Sequence, residues 1–129
     1  MPILEIEIIG DPTPTPGLAR ILADAAATVL APARQGATWV RLRRLHPQDY
    51  AENGADAAET PWPVFVRVLV AGALDEAARA AISPQLCSAL AQACGRPEQH
   101  VHLIWEPPAA GRVAFGGRLV PSGASSSTT

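Results

Sequence analysis

The second residue of this chain is a proline, and its backbone nitrogen is the most reactive group the sequence offers. Processing commonly removes a methionine that precedes proline, and Pro2 would then carry a free secondary amine. An α-amine titrates at about pH 8, and apolar burial or a nearby guanidinium lowers that value, which makes a neutral base at physiological pH. No other group in the chain combines those properties at so rigid a position. Proline also starts a strand well, so Met-Pro taken alone is uninformative. The ten basic residues are all arginine, and lysine does not occur. Any clamp for a carboxylate must therefore be a guanidinium fork. Arg41 and Arg43 alternate in Thr38-Trp-Val-Arg-Leu-Arg-Arg-Leu45, which puts both on one side of a strand and Arg44 on the other.

The cysteines, Cys87 and Cys94, are seven residues apart in a helical stretch. At 1.5 Å per residue their backbones are about 10 Å apart, too far for a disulfide. Buried free thiols in a reducing compartment are expected. No Cys/His spacing fits zinc, so neither a metal nor a cofactor is expected. The net charge of −2 and pI of about 5.9 argue against a nucleic-acid or anionic-membrane partner. The N-terminal stretch has no basic region followed by a long apolar run, so neither a signal peptide nor a membrane span is expected, and the protein reads as cytoplasmic. A length of 129 residues with 48% hydrophobic content suits one domain with its own core.

The chain is written twice. Pro2-Ile-Leu-Glu-Ile-Glu-Ile-Ile-Gly10 and Pro63-Val-Phe-Val-Arg-Val-Leu-Val70 are β-rich runs that each open on proline, 61 residues apart. The same offset carries Val40, in the Thr38–Leu45 run, onto Val101 in His100-Val-His-Leu-Ile-Trp105. Between the strands of the first half, Leu18, Ile21, Leu22, Ala25, Val29 and Leu30 recur at helical spacing, after Pro14 and Pro16. In the second half Leu74, Ala78, Ile82, Leu86, Leu90 and Cys94 form one stripe that stops at Gly95. Pro84 inside it predicts a kink or break near Ile82–Ser83.

Each half reads β-α-β, with parallel strands and a right-handed crossover. The fold class is therefore α/β (or α+β): two tandem units forming a four-stranded sheet with both helices on one face. We expect one domain over 1–121, with pseudo-repeats 2–47 and 63–106, an arm over 107–121 and a disordered tail over 122–129. Residues 48–60 are polar, contain Asn53-Gly54 and read as the linker between halves. The other sheet face mixes Ile3 and Ile9 with Glu5 and Glu7, and Trp39 with Arg41 and Arg43, which suggests burial against further copies of the chain. After Pro107-Pro108, Gly111-Arg-Val-Ala-Phe-Gly-Gly117 predicts a hairpin or an arm reaching a neighbour.

A Met-Pro start running into a strand, two β-α-β units and a late glycine-rich arm resemble the tautomerase superfamily, over about residues 2–120. The resemblance is to its long kind, in which two units are fused and the chains form homotrimers. It implies a tautomerase or isomerase in which Pro2 is the general base for keto–enol tautomerisation of a small carboxylate-bearing substrate. Decarboxylation, hydration or dehalogenation at Pro2, and a trimeric scaffold with a weakened pocket, remain alternatives. The second half, Val101-His-Leu-Ile-Trp-Glu106 with Gly111–Gly117, is similar to the single unit of 4-oxalocrotonate tautomerase.

That similarity assigns the remaining candidates. Arg41 stands at the position of the family's strand arginine, with Arg43 on the same face, and His102 is its equivalent in the second half. Val113 stands where the family has a pocket phenylalanine, and Phe115 follows two residues later. Solvent or an ion pair is the competing role for Arg41 as for Arg43 and Arg44, and a structural role for His102. Arg112 and Arg118 flank the arm and read as exposed, with a reach into a neighbour's pocket as the alternative, Glu5 and Glu7 read as facing solvent or an interface, and the tryptophans as core or interface aromatics. Two departures stand out: Asp11 replaces an arginine after Gly10, and Val70–Asp75 lacks the arginine pair of the decarboxylase and dehalogenase members.

Overall fold

The computed structural model describes residues 1–10, 15–56 and 60–123. Asp11, Pro14, linker residues 57–59 and tail residues 124–129 lie outside the described residues. The principal strands are β1 (Ile3–Ile9), β2 (Trp39–Leu45), β3 (Val64–Leu69) and β4 (Val101–Trp105). The helices are α1 (Leu18–Leu30) and α2 (Glu76–Cys94). A short hairpin of β5 (Ala114–Phe115) and β6 (Arg118–Leu119) closes the described chain.

The sheet order is β2-β1-β3-β4. Within each half the strands run parallel, β1 with β2 and β3 with β4, as a helical crossover requires. The halves meet through an antiparallel pairing of β1 with β3. Period-two alternation then sorts the side chains. Leu4, Ile6 and Ile8 of β1 and Val64, Val66 and Val68 of β3 are all 0–2% exposed and pack beneath both helices. Burial of each such side chain is worth about 1.5–3 kcal/mol.

Helix α1 contributes Leu18, Leu22 and Ala26 to that core. Ile21, expected on the buried stripe, is 42% exposed, because Leu18 and Leu22 set the contact line and Ile21 falls to its side. Helix α2 contributes Leu86, Leu90 and Ala91, with Ile82 and Cys94 packed at the margin. It starts later than expected: Asp75 caps it, accepting from the Ala78 N–H at 2.8 Å, so Leu74 lies outside.

The break expected at Pro84 does not occur, and α2 runs unbroken through it. Pro84 and Ala80 are both exposed, so the carbonyl deprived of its donor faces water. Nearby, the Ser83 hydroxyl donates to the Arg79 carbonyl at 2.6 Å and accepts from the Trp105 indole N–H at 3.0 Å, which ties the helix to β4. Cys87 and Cys94 are half-buried and form no disulfide, and burial raises the Cys87 thiol above its ordinary pKa.

Gly95 ends α2 in the left-handed conformation, at φ 70°. The next residue, Arg96, turns back under the sheet. Its guanidinium donates to the carbonyls of Ile9 (3.0 Å), Gly10 (3.1 Å) and Trp62 (2.5 Å). One side chain thus joins the end of α2 to the end of β1 and the entry to β3. Gly10 sits at φ 63°, and a Cβ placed there would lie 2.4–2.8 Å from the Trp62 ring. No helix among the described residues is long and apolar enough to cross a membrane.

Arg96→Ala should lower stability by about 2–4 kcal/mol in a urea titration, since three carbonyls lose a charged donor. Arg96→Lys should recover only part, because an ammonium cannot span the three positions as a planar fork does. Gly10→Ala should cost about 1–3 kcal/mol from the backbone conformation alone. In a Trp62→Ala background the same substitution should cost less, and the difference measures the ring contact.

Candidate active site

The sheet face opposite the helices is built of three cross-strand rows. Trp39, Ile3 and Leu69 stand beside one another at the head of β1. Arg41, Glu5, Arg67 and Ile104 form the next row, and Arg43, Glu7, Phe65 and His102 the third. Directly paired cross-strand residues are within side-chain reach, and opposite charges have been placed so. Glu5 meets Arg41 at 2.8 Å. Arg67, also beside Glu5, turns to Glu106 just beyond β4, at 2.8 Å. Its hydrogen bond and charge pairing with Glu106 hold Arg67 still more firmly protonated.

Pro2 precedes this face, at the head of β1. It is buried, and its carbonyl accepts from the Trp39 N–H at 3.0 Å. The Met1 amino group lies below the ordinary α-amine value of 8.0, chiefly through burial and next through the nearby Arg34 guanidinium. Arg34 is held by a turn between α1 and β2, in which the Ala31 carbonyl accepts from the Arg34 N–H and the Arg34 carbonyl from the Ala37 N–H. Thr38 comes next, and its buried hydroxyl has no hydrogen-bond partner among the described residues. A polar side chain is thus kept dry beside Trp39, whose amide holds Pro2.

The segment after β4 covers the same end of the sheet. Ala109 and Ala110 donate to the carbonyls of Val70 and Ala71, at 2.9 and 2.8 Å, which extends the pairing past β3. The chain then turns at Gly111 and forms the β5–β6 hairpin. Phe115 rests edge-on against Trp39, with ring centroids 5.7 Å apart. The arm therefore passes from the β3 side to the β2 side, across the beginning of β1. The expected hairpin is present, and its Phe115 contacts Trp39 of the same chain.

Beneath the arm lies a cavity of about 390 Å³. Ile3, Leu69 and Val113 give it apolar walls, and Arg41, Arg67 and Arg112 give it charge. Of the residues singled out from sequence, Arg41 and Val113 line this cavity, Pro2 immediately precedes its Ile3 wall, and Phe115 lies outside the lining, against Trp39. Arg43 and His102 are elsewhere. They belong to the third row, four residues along the strands from Ile3, or roughly 13 Å at 3.3 Å per residue. Arg43 lines a neighbouring hollow of about 210 Å³ with Glu7 and Phe65, and the His102 ring lies tilted against Phe65, with centroids 5.5 Å apart.

Arg34, Thr38, Glu106 and Arg67 are not among the candidates that the sequence offers, and Arg112 is read there as a flank of the arm. Arg34 stands in a Pro/Ala/Gly-rich loop with no periodicity to reveal its direction. Glu106 and Arg112 gain their positions only from the path of the arm. Among the described residues no group of three or more His, Cys, Asp or Glu side chains is arranged to hold a metal ion. What the arrangement offers is a partly apolar, arginine-bearing cavity whose Ile3 wall directly follows the buried Pro2, suited to a small organic anion.

No protein-family model matches the sequence, and no curated protein matches it. The fold is nevertheless shared with solved structures. A fused 4-OT, described as a wild-type asymmetric trimer, superposes with a TM-score of 0.70 at 15% identity, over 92% of this chain and 95% of that one. Pt0534 inactivated by 2-oxo-3-pentynoate gives 0.68 at 18% identity, over 92% and 95%. Macrophage migration inhibitory factor from Toxoplasma gondii gives 0.68 at 18% identity, over 90% and 97%. The chain has the fold of the tautomerase superfamily in its long, two-unit form.

Proposed function

We propose that this chain is a tautomerase in which Pro2, freed of Met1, is the general base. The observation that carries the reading is the burial of Pro2 at the head of β1, directly before Ile3, which lines the arginine-bearing cavity. The causes that depress the Met1 amine, burial first and Arg34 second, act on the same end of the chain once Pro2 is terminal. A neutral Pro2 amine takes a proton from an enol or from the carbon alpha to a carbonyl and returns it at the other end of the conjugated system. Guanidinium groups of the cavity hold the substrate carboxylate and stabilise the enolate oxygen as charge develops there. Of the family-matched candidates, Arg41 and Val113 line this site in a single chain.

We further propose that the chain is a homotrimer, as the fused 4-OT neighbour is described to be. The open sheet face supports this: Trp39 and Ile104 are 44% and 40% exposed on it, among charges already arranged in pairs. One observation favours a catalytically weak binding protein as the second reading. Arg41 and Arg67 are each neutralised by a glutamate, which reduces what they can give to a substrate anion.

Ketonisation of phenylenolpyruvate or 2-hydroxymuconate separates the two. The native chain should turn over at least one, and Pro2→Ala should lower the rate by about 10²- to 10⁴-fold, the usual contribution of a positioned base. Because the neutral amine is the active form and its pKa is depressed, kcat/KM should rise with pH and level off below pH 8.0, the ordinary α-amine value. Equal rates for the two chains would remove Pro2 from the mechanism, and no turnover by either moves the assignment to the binding protein. Intact mass is the companion measurement, since retained Met1 leaves an amide at Pro2 with no basic lone pair. Sedimentation equilibrium should return three times the 13.5 kDa chain mass.

A further inference from the structure

Thr38 carries the one buried side-chain oxygen or nitrogen that has no hydrogen-bond partner among the described residues. Its hydroxyl is out of reach of solvent, and a buried hydroxyl left unpaired is costly. Sheet packing alone does not call for it. Valine has nearly the same shape, suits a strand as well and carries no such cost.

The strand register shows what stands opposite. β1 and β2 run parallel with Ile3 beside Trp39 and Leu4 beside Val40, so one step back sets Pro2 beside Thr38. The Trp39 N–H donates to the Pro2 carbonyl at 3.0 Å, which fixes that carbonyl toward β2. In an extended chain the nitrogen and carbonyl of one residue face the same neighbouring strand, so the Pro2 nitrogen faces β2 as well. Alternation puts both side chains on the face of Leu4 and Val40, and Pro2 and Thr38 are both buried. While Met1 is attached, the Pro2 nitrogen is an amide without hydrogen and can donate to nothing. Removal of Met1 turns it into a secondary amine with an N–H. The donor that Thr38 lacks is thus the kind that processing creates, on the residue paired with it.

We propose that Thr38 is a positioning residue for the Pro2 amine: its Oγ1 accepts the N–H that appears when Met1 is removed. A neutral secondary amine has one N–H and one lone pair. With the N–H held by Thr38, the lone pair is left to take a proton from substrate, and its direction is fixed. The Ala37 carbonyl, one residue earlier, is the competing acceptor, where a parallel ladder would continue. The orphaned hydroxyl favours Thr38. This inference rests on the Pro2 reading for its catalytic consequence, but the hydrogen bond can be measured without turnover.

The test compares Thr38→Val and Thr38→Ser in two full-length forms. One is the processed chain, and the other keeps Met1, prepared with methionine aminopeptidase inhibited and verified by intact mass. In the Met1-bearing form Thr38→Val removes an unpaired hydroxyl, and the melting temperature should hold or rise. In the processed form the same change removes a hydrogen bond, and the melting temperature should fall by about 2–5 °C. Thr38→Ser keeps the oxygen and should shift both forms equally. The readout is the difference between forms, so a general loss from repacking cancels. In turnover of phenylenolpyruvate by the processed form, Thr38→Val should lower kcat by about 10-fold with KM little changed, and Thr38→Ser should restore most of it. Equal melting shifts of Thr38→Val in the two forms, or wild-type kcat in that variant, overturns the proposal and leaves the Ala37 carbonyl as the acceptor. If Pro2→Ala turns over as the native chain does, the Pro2 reading fails, while the difference in melting temperature still decides whether Thr38 holds the amine.

Discussion

The antiparallel seam between β1 and β3 is the constraint on which the molecule depends. A β-α-β unit buries only one side of a two-stranded sheet and is too small to be stable alone. Pairing Ile3 with Leu69, Ile6 with Val66 and Ile8 with Val64 joins two such units into one sheet and gives both helices a common floor. The same register fixes the other face, because a slip of one residue would send every side chain of a strand to the opposite side. Glu5 stands between Arg41 and Arg67 only while that register holds.

The two faces of the seam do different physical work. Apolar burial beneath the helices supplies the stability. The ion pairs on the open face are exposed, and such pairs typically contribute about 0–1 kcal/mol each. Their consequence is electrostatic. By occupying Arg41 and Arg67, Glu5 and Glu106 set how much positive charge the cavity can direct at a ligand. Arg96 acts differently again: it makes three bonds to carbonyls at a junction where α2, β1 and β3 meet, and so links the seam to the helical layer.

Pro84 and the arm illustrate how tertiary context alters a local expectation. A proline within a helical stripe removes one hydrogen bond, and by local rules the helix should yield there. In α2 the deprived carbonyl faces water, and Leu86 and Leu90 on the other side are fully buried, so packing outweighs the lost bond. The glycine-rich arm admitted two destinations. The backbone bonds of Ala109 and Ala110 to the edge beyond β3, together with the contact of Phe115 with Trp39, place it over its own sheet.

Much of the fold was legible in the sequence, because it is encoded in short periods. Alternation in Ile3–Ile9 and Val64–Leu69, helical spacing from Leu18 and from Ile82, and the 61-residue offset between halves are local patterns, and they named the strands, the helices and their grouping. Pro2 was legible as a candidate base as well, since its place after Met1 is read directly from the sequence. The composition of the site was not. Arg41 and Val113 were found by their matching positions, but Glu106, Arg67 and Arg112 join them only through the turn after β4 and the course of the arm. Arg43, which alternates with Arg41 in sequence, lies a row further from Pro2. Sequence periodicity states which face a side chain occupies; strand register and loop path decide which side chains meet, and those depend on contacts between residues far apart in the chain.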